Sequence, residues 1–161
     1  MNASPASPVN PIPDRYRAVT PRLVVPDGAA AIDFYVRAFG AHEIGERFTG
    51  PNDALIHGEI QIGDSVVMIT EDAADGHVGW PQPLAGAVTC VMVLYWENVD
   101  AAWERAVAAG GEVIYPVEDQ FYGERGGRLR DPFGQQWMMS QHIEDVTHEE
   151  MSRRAAALFG G

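Results

Sequence analysis

One order of predicted elements occurs twice along this 161-residue chain. A strand, a helix and three further strands are predicted first, and the same order is predicted again after residue 86. The predicted helices begin near residues 28 and 99, and the predicted hairpin turns lie near residues 63 and 133, so both landmarks shift by about 70 residues. The sequence therefore predicts a duplicated βαβββ unit.

The first unit begins with an apolar run at 18–25, which predicts a strand that ends at a Pro-Asp-Gly turn. Apolar residues at three- and four-residue spacing then predict a helix, and Gly40 is placed to end it in the left-handed conformation. Strands are predicted at 42–48, 54–62 and 65–70, the last two joined by a hairpin turn at Gly63-Asp64.

The second unit has a predicted strand at 88–96, a helix capped by Asn98, and strands at 112–117, 125–130 and 135–141. Thr147 and Glu150 form a capping box for a last helix. These patterns predict a Pro-rich N-terminal arm at 1–17, one domain at 18–145, and a C-terminal helix and tail at 146–161. The domain consists of module one at 18–71 and module two at 88–145.

Charge restricts the partners of the chain. Lys and Arg total 11 against 23 Asp and Glu, giving a formal net charge of −12, which opposes binding to nucleic acid or to an anionic membrane surface. The single Cys90 cannot form an intrachain disulfide, and it is predicted to be buried beneath the helices. The N-terminus has neither the basic nor the apolar region of a signal peptide, so we expect a cytoplasmic protein.

Several sequence blocks resemble one superfamily in the same order and spacing: "TPRLVVPDGAAAIDFYVRAFGA", "HGEIQIGDSVVMI", "NVDAAWERAVAAGG" and "DQFYGERGGRLRDPFGQQW". They are similar to the vicinal oxygen chelate superfamily, the glyoxalase/bleomycin resistance/dioxygenase group, and within it to the PhnB-like branch. The resemblance implies an α+β fold in which two βαβββ modules form an open, U-shaped mixed sheet around a cleft. It also implies a small-molecule ligand and a homodimer.

Metalloenzymes of this superfamily take metal ligands from the first strand and the last hairpin strand of each module. The matching positions in this chain are Thr20, Met68, Val91 and Met138, and none of them is a His, Glu or Asp. These side chains are poor ligands for a divalent ion. We therefore expect no metal and no other cofactor; the alternative is a divalent metal at a displaced site.

Strand alternation indicates which side chains of the first hairpin face the cleft. With Ile62 opposite Ser65, His57, Glu59 and Gln61 share the concave face with Met68. An imidazole and a carboxylate two residues apart can act together in proton transfer, so His57 and Glu59 are the candidate catalytic residues. The alternative is an ordinary solvated face of an antiparallel strand.

In the second hairpin we expect Arg130 opposite Gln135, which places Arg125 on the concave face with Met138. A guanidinium group there suits a carboxylate or an enolate oxygen of a ligand. The alternative is a salt bridge from Arg125 to Glu118, Asp119 or Glu124.

Four further residues are expected to contact a ligand. Gln120 and Tyr122 lie in a loop with a flexible glycine, which can close over a bound ring or pack against a dimer partner. Val91 and Tyr95 are expected on the concave face of their strand.

These features leave three functions open. The chain is a glyoxalase-type lyase or isomerase in which Glu59 or His57 moves a proton and Arg125 stabilises an oxyanion, or a protein that sequesters a drug or metabolite without chemistry. The third possibility is a metal-dependent dioxygenase or lyase with a displaced site. The missing metal ligands favour binding, and the His57 and Glu59 pair favours an enzyme.

Overall fold

The computed structural model describes residues 11, 13–50, 53–71 and 90–159 of the chain. Residues 1–10 and 12 of the predicted arm, residues 51–52, residues 72–89 and residues 160–161 lie outside the described residues. The first two residues of the strand predicted at 88–96 also fall there.

Both copies of the predicted βαβββ order are present, which confirms the duplication. The first module contains β1 (Arg22–Val25), α1 (Gly28–Phe39), β2 (His42–Thr49), β3 (Leu55–Ile62) and β4 (Ser65–Glu71). The second contains β5 (Val91–Tyr95), α2 (Val99–Ala108), β6 (Glu112–Asp119), β7 (Glu124–Arg130) and β8 (Gln136–His142), followed by α3 (His148–Phe159).

The helix ends follow from their capping residues. The Asp27 side chain accepts a hydrogen bond from the backbone N–H of Ala30, and the Asn98 side chain does the same for Ala101, so both leading helices have a capped first turn. Gly40 ends α1 with a φ of 63°, which is the left-handed conformation predicted for it.

In the described residues the eight strands form two four-stranded mixed sheets. The first sheet has the order β1-β4-β3-β2 and the second has the order β5-β8-β7-β6. The first strand of each module runs parallel to its neighbour, and the other pairs are antiparallel. The two orders are equivalent, and the predicted α+β class is confirmed.

A shared core lies where the helices pack against the sheets. It combines residues of both modules, including Ile32, Ile60 and Ile69 of the first and Trp137 and Met139 of the second. Because side chains alternate along a strand, the neighbours of these core residues point to the opposite side of each sheet. We call that side the open face; it carries His57, Glu59 and Met68 on the first sheet, and Val93, Arg128 and Met138 on the second.

The first hairpin has the predicted register. Glu59 is opposite Met68, Gln61 is opposite Val66, and Ile62 is opposite Ser65. The two-residue turn at Gly63-Asp64 fixes this pairing, because a tight turn leaves one register for the strands it joins.

The register predicted for the second hairpin was wrong by one residue. Arg130 is opposite Gln136 rather than Gln135, and Met138 is opposite Arg128. The backbone N–H of Asp131 bonds to the carbonyl of Gln135, so the loop has three residues, 132–134, and ends at Gly134 with a φ of 91°. A shift of one residue exchanges the faces of a strand, so Arg125 is not on the open face.

Cys90 precedes β5 and is exposed, so the prediction that it is buried was wrong. Within the described ranges, the helices are too short or too polar to cross a lipid bilayer.

Candidate functional site

Glu59 is a buried carboxylate on the open face of the first sheet. Its neighbours in the sheet are Met68 on β4 and Ile44 on β2, and the residue is only 4% exposed. It is covered by the N-terminal segment, residues 13–20, which has no helix or strand and in which Tyr16 forms a turn with Pro13. A burial of this kind requires hydrogen bonds, because a charged group without partners is costly away from water.

Three side chains supply those bonds. The hydroxyl of Tyr16 donates to Glu59 Oε1, Arg15 Nη2 lies 3.3 Å from Oε2, and His57 Nε2 lies 3.1 Å from Oε1. The Arg15 guanidinium also lies 4.7 Å from the centre of the Tyr16 ring. Its hydrogen bond to Tyr16 and the charge of Glu59 raise the pKa of Arg15. Glu59 is therefore an acceptor for a phenol, an imidazole and a guanidinium.

Arg22 fixes the orientation of the imidazole. Its Nη2 lies 3.2 Å from His57 Nδ1 and 3.2 Å from Met68 Sδ. A guanidinium can only donate, so Nδ1 accepts and the proton of the neutral ring is on Nε2, from which it is donated to Glu59. Arg22, His57 and Glu59 thus form a chain of hydrogen bonds across the sheet.

This arrangement suits proton transfer and recognition of hydroxyl groups. The Tyr16 phenol occupies the position at Oε1 from which a ligand O–H could donate to Glu59. A carboxylate held by two other donors is oriented for such a proton, which is the geometric requirement for a general base.

The residues at the expected metal positions do not fit a divalent ion. The partner of Met68 on β1 is Arg22, not Thr20, and the partner of Met138 on β5 is Val93, not Val91. A guanidinium repels a cation and offers no lone pair, and a valine offers no donor atom. Among the described residues, no three His, Cys, Asp or Glu side chains are grouped so that they could hold a metal.

Gln61 and Gln120 make local contacts rather than joining Glu59. Gln61 Nε2 donates to the carbonyl of Gly63 at 2.9 Å, and Gln120 Nε2 donates to the carbonyl of Glu118 at 3.3 Å. Each amide therefore bonds to a carbonyl two residues away and does not reach Glu59.

Arg125 is on the helix side of the second sheet, which corrects its predicted place on the concave face. Its Nη2 lies 2.7 Å from Asp100 on α2, and its Nη1 lies 2.8 Å from Asp119. The hydrogen bonds to Asp100 and Asp119 raise the pKa of Arg125, and the guanidinium lowers the pKa of Asp100. The salt bridge to Asp119 was one of the alternatives open from the sequence.

The open face of the second sheet carries Val91, Tyr95 and Met138, as predicted, and in addition Arg128. The Arg128 guanidinium lies 5.3 Å from the centre of the Tyr115 ring, and the Tyr115 hydroxyl lies 3.9 Å from Met138 Sδ.

Tyr122 lies near this face and stacks edge-on against Phe121, with ring centres 5.2 Å apart. Burial raises the pKa of Tyr122, with smaller contributions in the same direction from Tyr115, Glu124 and Tyr95, while Arg128 opposes the rise.

A cavity of about 390 Å³ opens between the β3–β4 turn and β5. Val66 of the first sheet and Val93 and Tyr95 of the second line its wall. His57 and Glu59 do not line it. The predicted residues therefore form two groups, one on each sheet, rather than a single cluster.

Tyr16, Arg22 and Arg128 were not predicted from the sequence. Arg22 interrupts an otherwise apolar strand, which is a usable signal for an exposed or functional face. Tyr16 lies in the Pro-rich arm, where no periodicity relates it to the sheet.

The sequence profile of the Glyoxalase/Bleomycin resistance protein/Dioxygenase superfamily matches residues 17–139. The uncharacterized protein Mb0911c of Mycobacterium bovis is 39% identical over 137 residues, which are 83% of this chain and 89% of the relative. The uncharacterized protein Rv0887c of Mycobacterium tuberculosis is 39% identical over 137 residues, 83% of this chain and 79% of the relative.

Solved structures share the fold. TioX from Micromonospora sp. ML1 superimposes with a TM-score of 0.61 at 26% identity, over 77% of this chain and 97% of TioX. A glyoxalase/bleomycin resistance protein/dioxygenase family enzyme from Burkholderia phytofirmans PsJN superimposes with a TM-score of 0.65 at 19% identity, again over 77% and 97%. At 19% identity, the similarity to the Burkholderia phytofirmans enzyme shows a shared fold only.

Proposed function

Because this chain belongs to the Glyoxalase/Bleomycin resistance protein/Dioxygenase superfamily, we propose that it binds a small organic molecule at Glu59, on the open face of its first sheet. We further propose that Glu59 takes a proton from that molecule, as in a lyase or isomerase, without a metal ion at the expected positions. The observation that carries the proposal is the buried Glu59 carboxylate, whose partners include a phenol. The PhnB-like branch remains part of this hypothesis, on the sequence blocks that suggested it.

The mechanism begins when the Tyr16 hydroxyl leaves Glu59 Oε1 and a ligand group takes its place. Glu59 then accepts a proton from the ligand and, in an isomerase, returns it to a neighbouring atom. His57 keeps the carboxylate oriented through its Nε2–H, and Arg22 keeps the imidazole in the required tautomer. Arg15, which is exposed, is available to balance negative charge that develops on the ligand.

The second candidate is a protein that sequesters a small molecule without chemistry. The N-terminal segment over Glu59 favours this candidate. Tyr16 and Arg15 already donate hydrogen bonds to the carboxylate, so Glu59 is not free to take a proton from a ligand. In this case Glu59 would only recognise a hydroxyl or a cationic group.

Two measurements test the proposal: binding of a phenolic ligand, and exchange of carbon-bound hydrogens in a carbonyl compound. Together they distinguish an enzyme from a sequestering protein. At pH 6, where it is mostly the neutral phenol, 4-nitrophenol should bind the protein, and Glu59→Gln should weaken its binding by about 10- to 150-fold, the loss of a charge-assisted hydrogen bond. His57→Ala should weaken it too, whereas Glu43→Gln, an exposed carboxylate on β2 paired with Arg47, should not.

Proton transfer is tested by incubating hydroxyacetone in deuterated water and following the exchange of its carbon-bound hydrogens by NMR. Exchange that Glu59→Gln abolishes supports an enzyme, and binding of 4-nitrophenol without exchange supports sequestration. Binding that Glu59→Gln leaves unchanged would place the ligand elsewhere and contradict both candidates.

We also propose that the chain forms a homodimer. Strands β2 and β6 are at the edges of the sheets and expose apolar side chains, with Phe48 62%, Val113 44% and Ile114 39% exposed. Such edges are usually covered by a partner. Sedimentation velocity at micromolar concentration should give the mass of a dimer, and a monomeric mass would contradict this.

A further inference from the structure

We propose that Arg128, on the open face of the second sheet, anchors a separate binding site for the carboxylate of a planar organic acid. Arg128 belongs to the other module from Glu59, and the site does not depend on proton transfer there. Two observations support the proposal: Arg128 has an unpaired charge with a buried Nε that lacks an acceptor, and its surroundings are aromatic.

The charge of Arg128 is not balanced by a carboxylate. Within the described part of the chain no Asp or Glu oxygen lies within 4 Å of its guanidinium, although the whole chain has 23 acidic residues against 11 basic ones. Arg130, two residues away on the same face, is paired with Glu112 at 3.3 Å. The Nε of Arg128 is also buried without an acceptor, which is unfavourable unless another molecule supplies one.

The surroundings of Arg128 suit a flat, mostly apolar molecule. Its guanidinium lies 5.3 Å from the centre of the Tyr115 ring, and Met138 is its neighbour on β8. The Tyr115 hydroxyl contacts only the weakly accepting sulfur of Met138 among the described residues, at 3.9 Å. Tyr95 is 65% exposed on the same face. Aromatic and thioether groups pack well against a planar ring.

The residue next to Arg128 along this face of β7 is Gly126, which carries no side chain. Gly126 is buried and closely packed, since a Cβ atom added there would lie 2.6 Å from the carbonyl oxygen of Met139. Glu124 bonds to His142 at 3.1 Å rather than to Arg128. A planar carboxylate matches a guanidinium with two parallel hydrogen bonds, which favours a carboxylic acid over a compact anion.

Isothermal titration calorimetry with benzoate tests the site, with benzamide as the neutral analogue. The protein should bind benzoate roughly tenfold or more tightly than benzamide, since the charge-assisted contact is then formed. Arg128→Gln should abolish this preference. Arg130→Gln is the matched control, because Arg130 is on the same strand and face but already has a carboxylate partner.

Folding and independence are checked with two more variants. Arg128→Lys keeps the charge but loses the planar fork, so it should retain only part of the preference, and its melting temperature shows whether packing on Tyr115 is needed for folding. Glu59→Gln should leave benzoate binding unchanged, which separates this site from the proposed function. Equal binding of benzoate and benzamide, or an unchanged preference in Arg128→Gln, would overturn the proposal.

Discussion

The phenolic hydroxyl of Tyr35, on α1 of the first module, donates a 2.8 Å hydrogen bond to Oδ2 of Asp131 in the second. The indole N–H of Trp137 donates to the same oxygen at 2.8 Å, and the backbone N–H groups of Phe133 and Gln135 donate to Oδ1 at 2.9 Å each. Burial raises the pKa of Asp131, and these hydrogen bonds oppose the rise. One buried carboxylate therefore joins the two modules and also shapes the loop that sets the β7–β8 register.

Tyr35→Phe should lower the free energy of unfolding by about 1.5 to 3 kcal/mol, because it removes a hydrogen bond to a charged group. Asp131→Ala should cost more, about 2 to 6 kcal/mol, since it leaves the two buried donors of Tyr35 and Trp137 without a partner. Urea unfolding followed by tryptophan fluorescence measures both. Tyr95→Phe, at an exposed phenol, is the control and should change stability by less than about 0.5 kcal/mol; an equal loss there would contradict the assignment.

Removing the Tyr16 hydroxyl should expose Glu59 to reagents in solution. In Tyr16→Phe, coupling of an amine to Glu59 by a water-soluble carbodiimide should be up to about tenfold faster, the change that corresponds to a hydrogen bond worth about 1.4 kcal/mol. Peptide mass spectrometry measures the labelling. Val19→Ala, in the same segment but 84% exposed, should label at the parent rate. Identical labelling of Glu59 in all three proteins would mean that Tyr16 does not cover it.

Protein purified without chelators should contain no stoichiometric zinc, nickel, manganese or iron by elemental analysis. The physical reason is that Arg22 and Val93 occupy the strand positions where ligands would be needed. The double substitution Arg22→His with Met68→Glu places two donors beside His57 and Glu59, and should create metal binding that Arg22→Gln alone does not. About one ion per chain in the unaltered protein would reveal a displaced site.

The attachment of α3 should weaken in acid. Arg154 attaches the helix to Glu144, at 2.8 Å, and lowers the pKa of that carboxyl. Glu150 lies within α3, where Arg153 and Arg154 lower its pKa to about 2 and support the first turns of the helix. A carboxyl with a lowered pKa in the folded state stabilises it above the unfolded value of 4.5, and that contribution is lost as the pH falls through the folded pKa.

The amide NMR signal of Met151 should therefore shift toward its unfolded position as the pH falls below about 4.5. Arg154→Gln should give the detached signal already at neutral pH, because Arg154 also donates to the carbonyl of Phe121. Arg153→Gln, which loses contacts to Glu150 alone, should retain most of the attachment. A signal of Met151 that is constant with pH in the unaltered protein would contradict this role of the ion pairs.

The two hairpins show how far local sequence determines register. Gly63-Asp64 permits a tight two-residue turn, so the partners of Glu59 and Gln61 could be predicted. The Asp131 side chain instead bonds to backbone N–H groups of its own loop, which makes Asp131 and Gln135 the closing pair. That choice depends on burial of the carboxylate against Tyr35, a contact between residues 96 positions apart that no local pattern contains.

The register of the first strand, β1, could not be predicted either, because it also depends on a non-local contact. The hairpin turns relate antiparallel neighbours, but β1 is parallel to β4 and no turn joins the two strands, so local sequence does not set the register of Arg22 opposite Met68. The observed strand β1 begins at Arg22, later than the predicted strand at 18–25, and Arg22 rather than Thr20 is the residue opposite Met68. His57 and Glu59, which depend only on alternation next to the tight turn, were placed correctly on the open face.

Tyr16 and Glu59 belong to one chain, so dilution of the protein does not separate them. For short flexible connections the effective concentration of such an internal partner is in the millimolar range. A free ligand competes with it, and its apparent Kd equals the intrinsic Kd divided by the fraction of molecules in which Glu59 is uncovered. Substitutions in the N-terminal segment would thus set the ligand concentration to which the protein responds, without any change in the residues that hold the ligand.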